Sequence, residues 1–339
     1  MMESRLLSNI LIKSTLGSGD LSALLSLAEK SPSGENLLEA YLITLKKRGA
    51  SDQEVHYLIK LLLQRAKKLV LGMAFLDVCG TGGDRSNSFN VSTTTAFVLA
   101  AAGVPVLKHG NRSVSSQCGS SDLLEGLGIS LEKCGAKAKE TMRKYRFAYL
   151  HAPLFHPFFG KIAPLRRRIG MPTVFNLLGP LLHPASPRLQ LVGIGDSEAF
   201  KRYAFWLKAA GRQKAIVVHG DGGLDEASPY GITQLYELKN GKVRTSKIRA
   251  RDFGFKARSL KDLVVSGRAE SVNVFKRIIS AKEKGPKREA AVLNAGLGFC
   301  LAGRAKNLKQ GIKMAEETLD SGRAKILVDN FSRATGAKK

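Results

Sequence analysis

The chain has 339 residues, 44% of them hydrophobic and 24% charged, so it can bury a substantial core and is not globally disordered. Lysine and arginine outnumber aspartate and glutamate by 54 to 28, which gives a net charge of +26. This charge indicates a polyanionic partner such as nucleic acid, or else a site for phosphorylated small molecules or a proteome that is basic as a whole. Because no stretch reaches the ~18 consecutive apolar residues of a membrane-spanning helix and the four cysteines lack paired spacing, we expect a cytoplasmic protein with neither a membrane segment nor a structural zinc site.

Residues 1–72 have helical periodicity throughout. In "GENLLEAYLITLKKRGA" the leucines recur at intervals of three and four. The next segment, "SDQEVHYLIKLLLQRAKKL", begins with Ser51 and has Glu54 three residues later, which is the pattern of a capping box. No alternating run of β-branched residues interrupts these segments, so we predict a small helical unit.

From about residue 73 the pattern changes to short apolar runs that end in glycine-rich connections. These runs are "AFLDVCG", "VPVLKHG", "FAYLHAP", "LQLVGIG" and "AIVVHG", and helical stretches separate them. Such alternation predicts an α/β domain with a mostly parallel sheet, whose ligands gather at the carboxyl ends of the strands. Asn240-Gly241 between two alternating runs predicts a hairpin at an edge of this sheet, and Gly285-Pro286 predicts a break between C-terminal helices.

Two successive connections between a predicted strand and a helix carry the polar residues of a candidate site. The first, "GTGGD" (80–84), matches no standard nucleotide motif, but its glycines suit a backbone that phosphates approach closely. "NVST" (90–93) then places Ser92 near a helix N-terminus, where anions are stabilised. The alternatives are an ordinary tight turn for the glycines and an N-cap role for Ser92, which is compatible with anion binding.

The second connection, "KHGNRSVSSQCGSSDLLEGLG" (108–128), supplies cationic donors at Lys108 and Arg112 and neutral donors at Asn111 and the serines. Asp122 and Glu125 are spaced to cap the helix that follows. Because two consecutive connections are built alike, we predict a ligand with two separated phosphate groups.

Several motifs in a fixed order resemble the signatures of anthranilate phosphoribosyltransferases. They are GTGGD, NVST and KHGNRSVSS, followed by "HAPLFHP" (151–157), "RRRIGMPTVFNLLGPLLHPASP" (166–187) and "VVHGDGGLDEAS" (217–228). The resemblance covers nearly the whole chain. Members of this family transfer the phosphoribosyl group of phosphoribosyl diphosphate (PRPP) to the amine of anthranilate and release diphosphate, a step towards tryptophan.

The resemblance also implies an architecture. A small discontinuous helical domain would comprise residues 1–72 joined by about 163–184, and residues 73–162 and 185–339 would form the larger α/β domain that binds PRPP. Family members commonly dimerise through the helical domain, so a homodimer is expected.

By the same resemblance, particular residues would form the site. PRPP would be bound by Gly80, Gly83, Asp84, Ser88, Asn90, Val91, Ser92, Thr93, Lys108, His109, Gly110, Asn111, Arg112, Ser113, Val114, Ser115, Ser116 and Ser120. Anthranilate would be bound by Gly80, Asn111 and Arg166, and two Mg²⁺ ions by Ser92, Asp225 and Glu226.

Several of these assignments leave alternatives open. Asp225 and Glu226 can serve one site only if their segment is a loop, since neighbours on a strand point to opposite faces; otherwise they serve two ions. Of Arg166, Arg167 and Arg168, at most one should face a site. No residue is assigned as a general acid or base. A related nucleoside phosphorylase remains an alternative, and so does a nucleic-acid-binding relative without activity, which the charge of +26 favours.

Overall fold

The computed structural model of the chain describes residues 2–13, 15–113 and 117–336. The helices are α1 (Met2–Ile12), α2 (Ser18–Ala28), α3 (Pro32–Arg48), α4 (Asp52–Gln64), α5 (Val91–Ala101), α6 (Ser120–Gly126), α7 (Leu131–Ala136), α8 (Ala138–Tyr145), α9 (Ala152–Phe155), α10 (Pro157–Lys161), α11 (Ala163–Ile169), α12 (Val174–Leu178), α13 (Ser197–Ala209), α14 (Arg268–Ile279), α15 (Pro286–Leu301), α16 (Leu308–Asp320) and α17 (Arg323–Thr335). The strands are β1 (Leu76–Gly80), β2 (Val106–Gly110), β3 (Phe147–His151), β4 (Leu189–Gly193), β5 (Lys214–His219), β6 (Ile232–Lys239) and β7 (Lys242–Arg249).

The chain divides into two compact units. A helical unit comprises Met1–Leu69 and Pro153–Pro184, and an α/β unit comprises Val70–Ala152 and Ala185–Lys339. The predicted fold class, a discontinuous helical domain with a larger α/β domain, is therefore confirmed.

The return to the helical unit begins earlier than the sequence predicts. The expected start is about residue 163, but residues 153–162 already belong to this unit. Phe155 O accepts a hydrogen bond from Lys67 N at 2.8 Å, and the ring of the buried Phe158 packs edge-on against Phe175. Contacts between residues far apart in sequence draw this segment into the helical unit, and local periodicity carries no signal of them.

The helical unit contains a buried carboxylate that several groups satisfy. Ser51 and Glu54 form the predicted capping box of α4. The Glu54 carboxylate also accepts hydrogen bonds from Arg48 Nη2 at 2.6 Å, Tyr41 Oη at 3.0 Å and Leu16 N at 3.1 Å. Burial raises the pKa of Glu54, but the hydrogen bonds from Arg48 and the backbone outweigh burial and leave the pKa below its ordinary value. Glu54 therefore joins α3, α4 and the segment before α2.

The sheet of the α/β unit has the order β3-β2-β1-β4-β5-β6-β7. The first five strands are parallel, and β6 and β7 add an antiparallel hairpin at one edge. Asn240 and Gly241 turn this hairpin with φ of 52° and 71°, as the Asn-Gly pair predicts. Because β2 lies on one side of β1 and β4 on the other, the strand order switches at this point. In open α/β sheets the ligand crevice lies at such a point, at the carboxyl ends of the strands.

Helix α5 lies in the core of the α/β unit. Its residues Thr93 to Ala100 are all buried, and it packs against α15 and α17. Phe97 stacks on Phe147 of β3 and meets Phe331 of α17 edge-on. Within the described part of the chain, neither α5 nor any other helix is long and apolar enough to cross a membrane.

Replacing Glu54 with Gln should lower the free energy of unfolding by about 2 kcal/mol, because the charge-assisted hydrogen bonds from Arg48 are lost. Urea denaturation of the full chain measures this. The matched control is Glu39→Gln, which removes a surface ion pair with Arg168 and should cost about 0.5 kcal/mol or less.

The difference in the free energy of unfolding between the wild type and Glu54→Gln should depend on pH. Since folding lowers the pKa of Glu54, its contribution is complete above the ordinary glutamate pKa and is lost as pH falls through the lower folded value. The wild type and Glu54→Gln should therefore converge in stability at acid pH. A constant difference, or an equal cost in Glu39→Gln, would contradict this account.

Candidate active site

The connection between β1 and α5 contains glycines that serve two purposes. Gly82 and Gly83 have φ of 67° and 80°, a left-handed backbone that glycine adopts without steric cost. Gly80 is not in this conformation, but a side chain there would collide with the carboxylate of Asp225. The glycines therefore turn the chain and also make room for an acidic segment from elsewhere in the sequence.

Asp225 and Glu226 lie in an irregular segment after β5, so both can face the same connection. Asp225 Oδ2 accepts a hydrogen bond from Gly82 N at 2.7 Å, and Glu226 Oε1 accepts one from Ser92 N at 3.1 Å. A side chain on Gly193, the last residue of β4, would collide with the Asp225 backbone. The acidic pair is thus fitted closely against the ends of β1 and β4.

Three carboxylates meet at this point. Asp84 Oδ2 accepts a hydrogen bond from Asp225 N at 3.3 Å, and Asp225 and Glu226 are only 9% and 8% exposed. Burial raises the pKa of Asp225 well above its ordinary value, and Asp84 and Glu226 raise it further. Burial also raises the pKa of Glu226 to about 8, against the opposing effect of the Lys108 ammonium. The cluster therefore favours an additional positive charge.

The oxygens of this cluster suit a hard divalent cation. Magnesium binds through one or two protein carboxylates and completes its octahedron with water and phosphate oxygens. Across residues 2–13, 15–113 and 117–336, no three His, Cys, Asp or Glu side chains are already arranged as a metal-binding group. A cation held by Asp225 and Glu226 would therefore take its remaining ligands from water or from a bound phosphate.

Lys108 is a buried ammonium that joins β1, β2 and α5. It is 2% exposed, and its Nζ donates to Val78 O at 2.6 Å and to Ser92 Oγ at 3.1 Å. The N-cap of α5 is Asn90, and Ser92 lies in the first turn, so the alternative that Ser92 is only an N-cap is wrong. Ser92 instead meets Lys108 through its hydroxyl and Glu226 through its backbone N–H.

The connection between β2 and α6 is held by Asp122. Its Oδ2 accepts a hydrogen bond from Gly119 N at 2.8 Å, which is the predicted capping role, and another from Ser113 N at 3.0 Å. Glu125, the other predicted cap, instead pairs with Arg112 Nη2 at 2.7 Å. Asn111 O accepts hydrogen bonds from Ser120 Oγ and from Ser121 N. The remaining predicted PRPP contacts of this connection, Val114, Ser115 and Ser116, lie outside the described residues.

Some predicted contact residues have side chains that point away from solvent or are already engaged. Val91 and Thr93 are 1% and 0% exposed, so in this conformation neither side chain reaches the crevice. The Asn90 amide donates to Cys118 O at 3.0 Å and to Ser271 Oγ at 3.1 Å, and so ties the two connections together. These side chains shape the connections rather than line an open surface.

The other predicted PRPP contacts lie at the edges of the two connections. The Ser88 hydroxyl accepts a hydrogen bond from Ser86 Oγ, and its backbone forms a bridge with Val264. His109 is 8% exposed at the end of β2. Gly110 follows it, and a side chain there would collide with the Ser120 hydroxyl.

Arg166 lies on α11 of the helical unit and is the half-buried member of its arginine run. Its guanidinium lies over the Phe159 ring at 5.6 Å, and burial lowers its pKa. Within the described residues it makes no ion pair, whereas the exposed Arg168 pairs with Glu39 at 2.7 Å. A desolvated guanidinium without a carboxylate is suited to an anionic ligand. The other two residues predicted to bind anthranilate, Gly80 and Asn111, belong to the α/β unit.

Sequence reasoning missed two features of the site. It placed Asp84 among the PRPP contacts but not beside the backbone of Asp225. It also overlooked Gly193, although the run "LVGIG" shows a glycine where a strand ends, and that signal could have indicated close approach by another segment.

Comparisons with known proteins identify the family of this chain. Residues 72–325 match the family model described as "Glycosyl transferase family, a/b domain". The anthranilate phosphoribosyltransferase of Desulfitobacterium hafniense (strain Y51) is 40% identical over 86% of each chain. The solved structure of the Thermus thermophilus enzyme is 33% identical with a TM-score of 0.87, covering 97% of this chain and 99% of the other. The Saccharomyces cerevisiae enzyme in complex with PRPP and Mg is 28% identical with a TM-score of 0.91, covering 98% and 97%. This chain, with its paired connections and acidic cluster, belongs to the anthranilate phosphoribosyltransferase family.

Proposed function

We propose that this protein transfers the 5-phosphoribosyl group of PRPP to the amine of anthranilate, with release of diphosphate, in tryptophan biosynthesis. It would thus be a magnesium-dependent pentosyltransferase. The observation that carries the proposal is the convergence of Asp225 and Glu226 on the β1–α5 connection, beside the buried Lys108. This arrangement offers both an ammonium and a cation site to a diphosphate.

PRPP would occupy the crevice at the carboxyl ends of β1 and β2. The N-terminus of α5 would face one phosphate group, with the buried Lys108 adding positive charge next to it through Ser92. The connection between β2 and α6 would face another. The Ser120 hydroxyl would supply a neutral donor by turning its one hydrogen from Asn111 O to a phosphate oxygen. The yeast relative in complex with PRPP and Mg supports this proposal.

Magnesium would be held by Asp225 and Glu226, with Ser92 beside them, as two ions per site. When bound, magnesium neutralises the charge that develops on the leaving diphosphate. Its charge would also offset the repulsion among the buried carboxylates and keep them ionised. The role of this chain is to hold the two carboxylates at a fixed place through Gly82 N and Ser92 N.

Transfer would pass through an oxocarbenium-like ribose. An aromatic amine is neutral at pH 7, so the nucleophile needs no general base to become reactive. The protein would therefore act by positioning and electrostatics. Arg166 would bind the carboxylate of anthranilate through paired hydrogen bonds, because its guanidinium is desolvated and makes no ion pair within the described residues.

Purified protein with PRPP, anthranilate and Mg²⁺ should turn over, as followed by the loss of anthranilate fluorescence. The double variant Asp225→Asn, Glu226→Gln should lower Mg²⁺-supported turnover by at least about 100-fold, since two ligand charges are removed. The matched control is Asp221→Asn, an exposed carboxylate in the same segment, and it should stay close to the wild type.

Other outcomes of this experiment would decide between the alternatives. Near-normal activity in the double variant would overturn the metal assignment. Phosphorolysis of a nucleoside without anthranilate turnover would favour a nucleoside phosphorylase. Salt-dependent DNA binding without any turnover would favour the nucleic-acid-binding relative, for which the net charge of +26 is the supporting observation.

Replacing Arg166 with Gln should raise the KM for anthranilate by about 10- to 100-fold, because a charge-assisted hydrogen bond is worth about 1.5–3 kcal/mol. The KM for PRPP should change little. Arg168→Gln is the matched control on the same helix, since its guanidinium pairs with Glu39 at the surface. An unchanged KM for anthranilate in Arg166→Gln would contradict this role.

We also propose a homodimer that forms through the helical unit. Helix α1 exposes Leu7, Leu11 and Ile12 by 42%, 70% and 79%, and a second copy would remove these side chains from water. Sedimentation should show a dimer for the wild type and a monomer for Leu11→Asp combined with Ile12→Asp. The control is Ile326→Asp, at an apolar residue of the α/β unit that is 59% exposed. A monomeric wild type would refute this proposal.

A further inference from the structure

A continuous chain of hydrogen bonds runs beneath the connection between β2 and α6. Ser120 Oγ lies 2.9 Å from Tyr149 Oη, which lies 2.7 Å from Ser121 Oγ. Ser121 Oγ lies 2.8 Å from His151 Nδ1, and His151 Nε2 lies 3.4 Å from Arg112 Nη1. Tyr149, Ser121 and His151, in the middle of this path, are 4% exposed or less. Its two ends are Arg112, in the connection, and Ser120, the first residue of α6.

Both ends of this chain fix the same direction for every hydrogen bond. A guanidinium has only donors, so Arg112 donates to His151 Nε2, and Nδ1 must carry the imidazole proton and donate to Ser121. Ser121 then donates to Tyr149. At the other end the Ser120 hydroxyl donates to Asn111 O at 3.2 Å, so it accepts from Tyr149. No donor or acceptor conflicts along the path.

We propose that Tyr149 and His151 are positioning residues for PRPP, which act through this directed chain by fixing the Ser120 hydroxyl and the Arg112 guanidinium. Neither residue needs to touch the substrate. The proposal rests on the proposed function, because it assigns to the chain the task of holding two PRPP contacts in place. It also explains the glycine at position 110, where a side chain would collide with Tyr149 and Ser120.

The hydrogen-bond chain should also be weakened at acid pH. Protonation of His151 places a hydrogen on Nε2, which can then no longer accept from Arg112. The charged groups around the ring are Arg112, Asp122 and Glu125 of the same connection and helix, and Glu132 of α7. Burial and Arg112 lower the pKa of His151 despite the three carboxylates, so the neutral ring is an acceptor for Arg112 Nη1 at pH 7. It acts together with the ion pair of Arg112 Nη2 and Glu125 Oε1 at 2.7 Å.

The first test compares Tyr149→Phe with Ser121→Ala, each of which removes one hydroxyl from the same hydrogen-bond chain. Each should weaken PRPP binding, measured by calorimetry, and raise the KM for PRPP about fivefold, as expected for one hydrogen bond. The KM for anthranilate should be unchanged. The KM for PRPP of the double variant should be no higher than that of either single variant, because the same hydrogen-bond chain is broken in all three variants. Tyr145→Phe, which removes a hydroxyl outside the chain, is the matched control and should match the wild type.

The second test replaces His151 with Asn, which keeps a donor to Ser121 but offers Arg112 no acceptor and does not titrate. At pH 7 its KM for PRPP should exceed that of the wild type about threefold to fivefold. This ratio should fall towards one as the pH is lowered through the pKa of His151, which lies below its ordinary value. A ratio independent of pH would overturn the role of His151.

The two proposals fail differently. If the wild type binds no PRPP, the proposed function is wrong. If the wild type binds PRPP and Tyr149→Phe and Ser121→Ala bind it equally well, the positioning role is wrong while the function stands. Additive losses in the double variant would likewise overturn the single chain.

Discussion

The α/β unit depends on the close fit of two acidic residues against the ends of β1 and β4. Asp225 and Glu226 are removed from water, yet each accepts a backbone N–H from the β1–α5 connection. Such a fit is possible only because Gly80 and Gly193 carry no side chain. Burying carboxylates together is unfavourable without positive charge, and Lys108 supplies part of it. The residual demand for a cation is what makes this cluster suited to a magnesium diphosphate.

The second connection is organised by different means. Within its described residues, no acidic pair from elsewhere in the sequence enters it. Instead Asp122 accepts hydrogen bonds from two backbone N–H groups, and a hydrogen-bond chain from β3 supports the side chains of Ser120 and Arg112. The Asn90 amide joins the two connections through Cys118 O. A ligand that spans both would therefore meet one region shaped by charge and another shaped by directed hydrogen bonds, and each can be altered separately.

The sequence predicted most of the fold because its signals are local. The five apolar runs became β1 to β5, the Asn-Gly pair became the turn between β6 and β7, and Ser51 with Glu54 formed a capping box. The family, and with it the fold class, also followed from ordered motifs. Periodicity could not predict that residues 153–162 belong to the helical unit, since the contacts of Phe155 and Phe158 there are made with residues distant in sequence.

The sequence by itself determined which residue types stand at each strand end: glycines that can turn or be approached, and hydroxyls, a lysine and two acids that can meet phosphates and a cation. Only the tertiary structure decided how they are used. It assigned Gly80 to the approach of Asp225, placed Ser92 between Lys108 and Glu226, and singled out Arg166 from its neighbours. The physical reason is that burial and hydrogen-bond partners are properties of packed neighbours, and these neighbours come from segments that only the folded chain brings together.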